Sequence, residues 1–100
     1  MARYLVLMHI DSSTWAEPPA KDQWDAYIER LARGGYLEGG SSFGPGKTLH
    51  KNHLPSPNQA LSGYLYLEVP NDEIAQELCF KNPDFLAGHS VSIFPLIEDS

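Results

Sequence analysis

The run Arg3 to Ile10, RYLVLMHI, is aliphatic and β-branched almost throughout, with apolar residues at both alternating sets of positions. Neighbouring side chains of a strand point to opposite faces, so a strand like this must be covered on both sides of its sheet. That requirement governs how the rest of the chain is read. Asp11-Ser12-Ser13 ends the run.

Two segments have the helical period needed to cover one face. In Ala20 to Arg33, Trp24, Tyr27, Ile28 and Leu31 follow the i, i+3, i+4, i+7 spacing of a single helix stripe. Pro18-Pro19 precedes it, Arg30 and Arg33 suit its last turn, and Gly34-Gly35 stops it. The second helix starts after Pro70, with Asn71 as cap and Asp72 and Glu73 in the first turn. It is expected to run to about Lys81, burying Ile74, Ala75, Leu78 and Cys79, until Asn82-Pro83 ends it.

Three more strands are expected: a glycine-thinned Tyr36 to Gly44, Leu61 to Val69, and His89 to Ile97. Pro95 points to a sheet edge or an interface for the last of these. Residues 45 to 60 hold three of the eight prolines and read as a loop or a loose hairpin. The order β-α-β-β-α-β in a single domain, residues 1–100, predicts an α+β, ferredoxin-like fold. Its four-stranded antiparallel sheet would carry both helices on one face.

The other face then needs its own cover. Tyr64, Tyr66 and Glu68 alternate with Leu65 and Leu67, and Ser90, Ser92 and Phe94 alternate with Val91 and Ile93. If the aliphatic set lies under the helices, the second face carries tyrosines, serines and a phenylalanine. It is too apolar to stay bare and too polar for a dry core. A second copy packed sheet against sheet would cover it and leave a partly polar cavity between the two. A homodimer with a small-molecule ligand is therefore the expected assembly.

Charge excludes other partners. The net charge is -6 and the pI near 5.0, with no basic stripe, which argues against nucleic acid and anionic membrane surfaces. No apolar run approaches the ~20 residues that span a bilayer. His9 and Asp11 interrupt the N-terminal apolar run, so it reads as a strand and not as a signal peptide, and the expected setting is cytoplasmic. The single cysteine, Cys79, forms no internal disulfide and reads as a small buried hydrophobe.

One stretch imitates a phosphate-binding motif. GGSSFGPGKT, residues 39 to 48, ends as a P-loop does, but the first glycine of that motif should stand at position 41, which is Ser41. The coil LHKNHLPSP follows where a helix should open, so nucleotide binding is rejected. His9 and Asp11, two apart on the first strand, would share a face ~6.5 to 7 Å apart along the chain. An aspartate at that range can orient an imidazole for general base catalysis; the plainer reading is a polar strand end with a solvated carboxylate. Ser41 and Ser42 either make a turn or bind an anion. His50-x-x-His53 lacks a third ligand nearby, so no metal is expected. His89 begins the strand predicted beside the first and stands either near His9 or as a strand cap. Trp15 reads as loop packing and Trp24 as helix core.

The segments RYLVLMHID, GGYLEGGSSFGPG and GYLYLEV…NPDFLAGHSVSIFPL together resemble the YCII-related proteins, small dimeric α+β-barrel proteins, over nearly the whole chain. The resemblance implies the fold and the dimer more firmly than any activity. Some members carry a DGPF stretch that is absent here. Enzymatic members pair a histidine on the first helix with an aspartate near its end, positions that fall at Gln23 and Arg33. Neither residue can do that acid–base work. Two functions follow. One is a ligand-binding or accessory module with an inter-sheet pocket. The other is a cofactor-independent enzyme that isomerises or eliminates on a small cyclic or aromatic acid. In that enzyme His9 is the base, Asp11 orients it, and Ser42, Tyr66 and His89 bind substrate.

Overall fold

A computed structural model describes residues 1–11 and 18–97. Along the chain run β1 (Ala2–His9), α1 (Lys21–Arg33), β2 (Leu37–Ser42), β3 (Gly46–His50), β4 (His53–Asn58), β5 (Leu61–Val69), α2 (Asp72–Phe80), α3 (Pro83–Leu86) and β6 (Val91–Pro95). The main sheet has the order β2-β5-β1-β6, with every neighbouring pair antiparallel. β1 is thus an inner strand, bonded along both edges, while the described helices cover only one of its two apolar faces, and β6 with Pro95 lies at an edge. Trp15 falls outside the described residues.

Local chemistry sets the helix ends. Gly35 has φ of +77°, the left-handed conformation that costs other L-residues ~1–2 kcal/mol. There its N–H reaches the Ala32 carbonyl at 3.0 Å and the Tyr36 N–H reaches Leu31 at 3.0 Å, the paired bonds of a Schellman stop. Asn71 caps α2 by accepting from the Ile74 N–H at 2.9 Å. Asn82, expected only to end α2, also starts a further turn. Its side chain accepts from the N–H groups of Asp84 and Phe85, and Pro83 occupies the first position of α3.

The core lies on one face of the sheet. Tyr4, Val6 and Met8 of β1 and Leu65, Leu67 and Val69 of β5 pack with Tyr27 and Leu31 of α1 and Ala75, Leu78 and Cys79 of α2. Trp24 and Ile28 flank this cluster half-buried. The Tyr27 hydroxyl donates to the Leu78 carbonyl at 2.8 Å, which ties the two helices together and satisfies a buried polar group. Burial raises the Tyr27 hydroxyl pKa and pushes the Cys79 thiol up to about 11, so that thiol stays protonated and unreactive at neutral pH.

Two features modify the plain layout. Residues 46–58 form a hairpin of β3 and β4 whose strands pair chiefly with each other. All of its residues but Ser56 are exposed, with Leu54 87% accessible. This arm lifts the radius of gyration to 14.8 Å, against ~13 Å for a compact chain of this length. Its prolines, Pro55 and Pro57, mask the strand pattern in the sequence. The second feature is a bulge: Met8 pairs with Gly63 and His9 with Leu61, so Ser62 is the extra residue on β5.

Candidate functional site

The uncovered face of the sheet carries the side chains that alternate with the core set. Across the strands, Ser41 lies opposite Tyr64, Tyr64 opposite Leu7, and Leu7 opposite Ser92. The next row is Gly39, Tyr66, Leu5 and Phe94. Tyr64 meets Tyr66 edge-on at 5.4 Å and stacks on Phe43 at 5.5 Å, so the aromatic rings form one continuous strip. Tyr66 remains 39% and Phe94 50% accessible.

His9 ends β1 on this face, and its Nε2 lies 2.6 Å from the Ser92 hydroxyl. The pairing register explains the contact. The His9 N–H bonds to the Ser90 carbonyl, and Ser92, two residues further along β6, is the diagonal neighbour on the same face. A hydroxyl this close to an imidazole nitrogen can pass its proton to the ring, as a nucleophile does to its base.

Asp11 does not join that pair. Its Oδ2 accepts from both the N–H and the hydroxyl of Ser90, each at 2.8 Å. Its N–H donates to Nδ1 of His89 at 3.2 Å. Nδ1 of His89 is therefore an acceptor, which leaves the proton of the neutral ring on Nε2. Asp11 and His89 lock the start of β6 to the end of β1, and the His9 ring takes Ser92 as its partner. The sequence reading missed Ser92. The alternation His89-Ser90-Val91-Ser92 beside β1 was the available signal.

The remaining expected binding residues are separated. Tyr66 pairs with Leu5, four residues and ~13 Å along β1 from His9, and Tyr64 stands between. Ser42 pairs with Gly63 on the opposite, helix-covered face, because strand alternation puts it on the side of Met8. The other end of the open face is charged. Arg3 pairs with Glu38 at 3.1 Å, and Glu68 lies opposite Arg3. A hydrogen bond between the two carboxyl groups raises the Glu68 pKa and lowers that of Glu38.

On the helix side, a cleft of about 620 Å³ opens between α1 and the β2–β5 edge. Trp24, Ile28, Leu37, Leu65 and Met8 supply its apolar wall, and Ser42, Ser62 and Asp84 line it as well. Gln23 and Arg33 have local tasks on α1. The Gln23 amide oxygen accepts from the Ala20 N–H at 2.9 Å, and Arg33 pairs with Glu29 one turn back. His50 sits opposite His53 in the arm and bonds to Ser56 at 2.7 Å. Among the described residues no three metal-ligating side chains gather, and no helix is long and apolar enough to cross a membrane. Gly46-Lys47-Thr48 opens β3 and leads into no helix.

Compared with known proteins, the chain matches no family model, and no curated protein matches its sequence.

Proposed function

We propose that the protein is a small-molecule-binding module that acts as a homodimer, with the open face of its sheet packed on that of a second copy. One observation carries this reading: the His9–Ser92 pair borders a strip of Leu5, Leu7, Tyr64, Tyr66 and Phe94 that no helix among the described residues covers. An aromatic and aliphatic strip of this kind is stabilised by burial against another surface. The antiparallel order β2-β5-β1-β6, with α1 and α2 feeding one core, supports the ferredoxin-like description and hence the dimeric α+β barrel. The resemblance to YCII-related proteins supports the same assembly. Between two such faces, the hydroxyls of Ser92, Tyr64 and Tyr66 and the ring of His9 would be the polar groups of an inter-sheet pocket.

Sedimentation equilibrium of the wild-type chain and of Leu7→Lys tests this. A wild-type dimer that the lysine converts to a folded monomer supports it. A wild type that stays monomeric at high micromolar concentration overturns it.

The 2.6 Å His9–Ser92 contact favours a second reading, a cofactor-independent enzyme in which His9 is the base. The substrate class expected there is a small cyclic or aromatic acid. Turnover lost in His9→Ala and reduced in Ser92→Ala, with the dimer intact, supports it. Full activity in His9→Ala removes it.

A further inference from the structure

We infer that the cleft between α1 and the β2–β5 edge is a second ligand site, selective for a primary ammonium group carried on an aryl or alkyl chain. It lies on the opposite side of the sheet from the His9–Ser92 pair and does not depend on the dimer.

The shape of the cleft follows from residues that leave room. Gly40, opposite Leu65, and Gly63, opposite Ser42, are diagonal neighbours across β2 and β5, where a Cβ on Gly40 would come within 2.7 Å of the Tyr64 carbonyl and one on Gly63 within 2.7 Å of that of Ser41. With no side chains there, the strands pair closely and the space beneath Trp24 stays open. The Trp24 indole is held edge-on against Tyr27 at 5.9 Å, so one wall is a fixed aromatic ring. At about 620 Å³ the cleft falls in the range of small-molecule sites, roughly 300–1,000 Å³.

The polar end gives the selectivity. The bulge turns Ser62 out of register, and its hydroxyl lies 3.2 Å from Oδ2 of Asp84. Asp84 is half-buried, its own N–H is taken by the Asn82 cap, and no cation among the described residues pairs with it. Of the described residues lining the cleft, Asp84 alone is charged. A ligand carboxylate or phosphate would meet a like charge with no lysine or arginine to offset it. An ammonium group would find the Asp84 carboxylate and the Ser42 and Ser62 hydroxyl oxygens as acceptors, with the indole face of Trp24 for its organic part.

Calorimetric titration of the full chain with three probes of similar size tests the assignment: 2-phenylethylamine, 2-phenylethanol and 3-phenylpropionate. The amine is expected to bind at least ~10-fold more tightly than the acid, equivalent to ~1.4 kcal/mol. Asp84→Asn keeps the shape and should abolish that preference while changing 2-phenylethanol binding by less than about 2-fold, since a neutral probe has no charge for the carboxylate to pair. Ser42→Leu, at an exposed edge position, should block all three if Asp84→Asn proves too unstable to titrate. Leu7→Lys on the open face should leave amine binding unchanged, which separates this site from the dimer reading. Acid binding as tight as the amine, or no binding by any probe, overturns the assignment.

Discussion

The two faces of the main sheet are built from the same four strands, yet they have opposite characters. The helix-covered face stacks Val6, Leu67 and Val69 with no solvent access beneath α1 and α2. The open face repeats the strand period with Leu5, Leu7, Tyr64, Tyr66 and Phe94 and then adds His9, Ser92, Glu68 and Arg3. A face designed only for water would carry charges throughout, and one designed only for a core would carry none. Stability is therefore concentrated on the first face, and recognition chemistry is available on the second. The sharpest break between them should appear in how truncations depend on protein concentration. Leu67→Ala, which empties a fully buried site, should cost about 2–5 kcal/mol. Thermal melts should show that loss at every protein concentration. Phe94→Ser should cost under ~1 kcal/mol in the dilute protein and, if the proposed dimer forms, progressively more as concentration rises, because it would weaken that dimer and leave the core intact. A Phe94→Ser loss that ignores concentration would erase the proposed difference between the faces.

The next effect lies where the faces share backbone. A Cβ on Gly63 would sit 2.7 Å from the Ser41 carbonyl, a contact that only a strand displacement can relieve, and 3.2 Å from the Met8 methyl carbon, which can give way by a small side-chain shift. Gly63→Ala should cost about 1–3 kcal/mol, and faster amide exchange in β2 should locate the damage at the β2–β5 edge. Gly39 has open space around its Cβ position, so Gly39→Ala on the neighbouring edge strand β2 should be near neutral. Equal costs at the two positions would mean that the edge tolerates no side chain at all and that the close approach at Gly63 is not the cause.

The covered face was legible in the sequence because its signals are redundant. The Trp24-Tyr27-Ile28-Leu31 stripe, the Gly34-Gly35 stop and the Asn71 cap each specify an element locally, and the structure forms all three as read. The site was less legible because it depends on register, which no single segment encodes. Strand β2 offers Gly39-Gly40-Ser41-Ser42, four residues with no apolar member to mark the inner face, so nothing in the sequence assigns Ser42 to the helix side. Asp11 lies two residues beyond His9, but β1 ends between them and the Ser90 N–H and hydroxyl capture its carboxylate. Ser62 reaches Asp84 only because a bulge displaces it, and bulges leave no period to read.

The smallest effect compares the two carboxylates at the charged end of the open face. Hydrogen bonding to Glu38 raises the Glu68 pKa, and the same bond with the Arg3 charge lowers that of Glu38. The raised Glu68 stabilises the fold while protonated, a contribution present in acid and lost as pH rises through its folded pKa. The lowered Glu38 stabilises the fold while ionised, a contribution lost as pH falls through its folded pKa. The pair therefore helps most between these two values, around the ordinary glutamate range, and loosens toward neutrality as both groups carry charge. Glu68→Gln keeps the donor at every pH. Its melting temperature should exceed that of the wild type slightly at neutral pH and converge with it in mild acid. Because both groups face water, the difference should shrink as salt is added. A larger gain in the dimer than in Leu7→Lys would place the pair inside the proposed interface, and an equal gain would leave it at the rim.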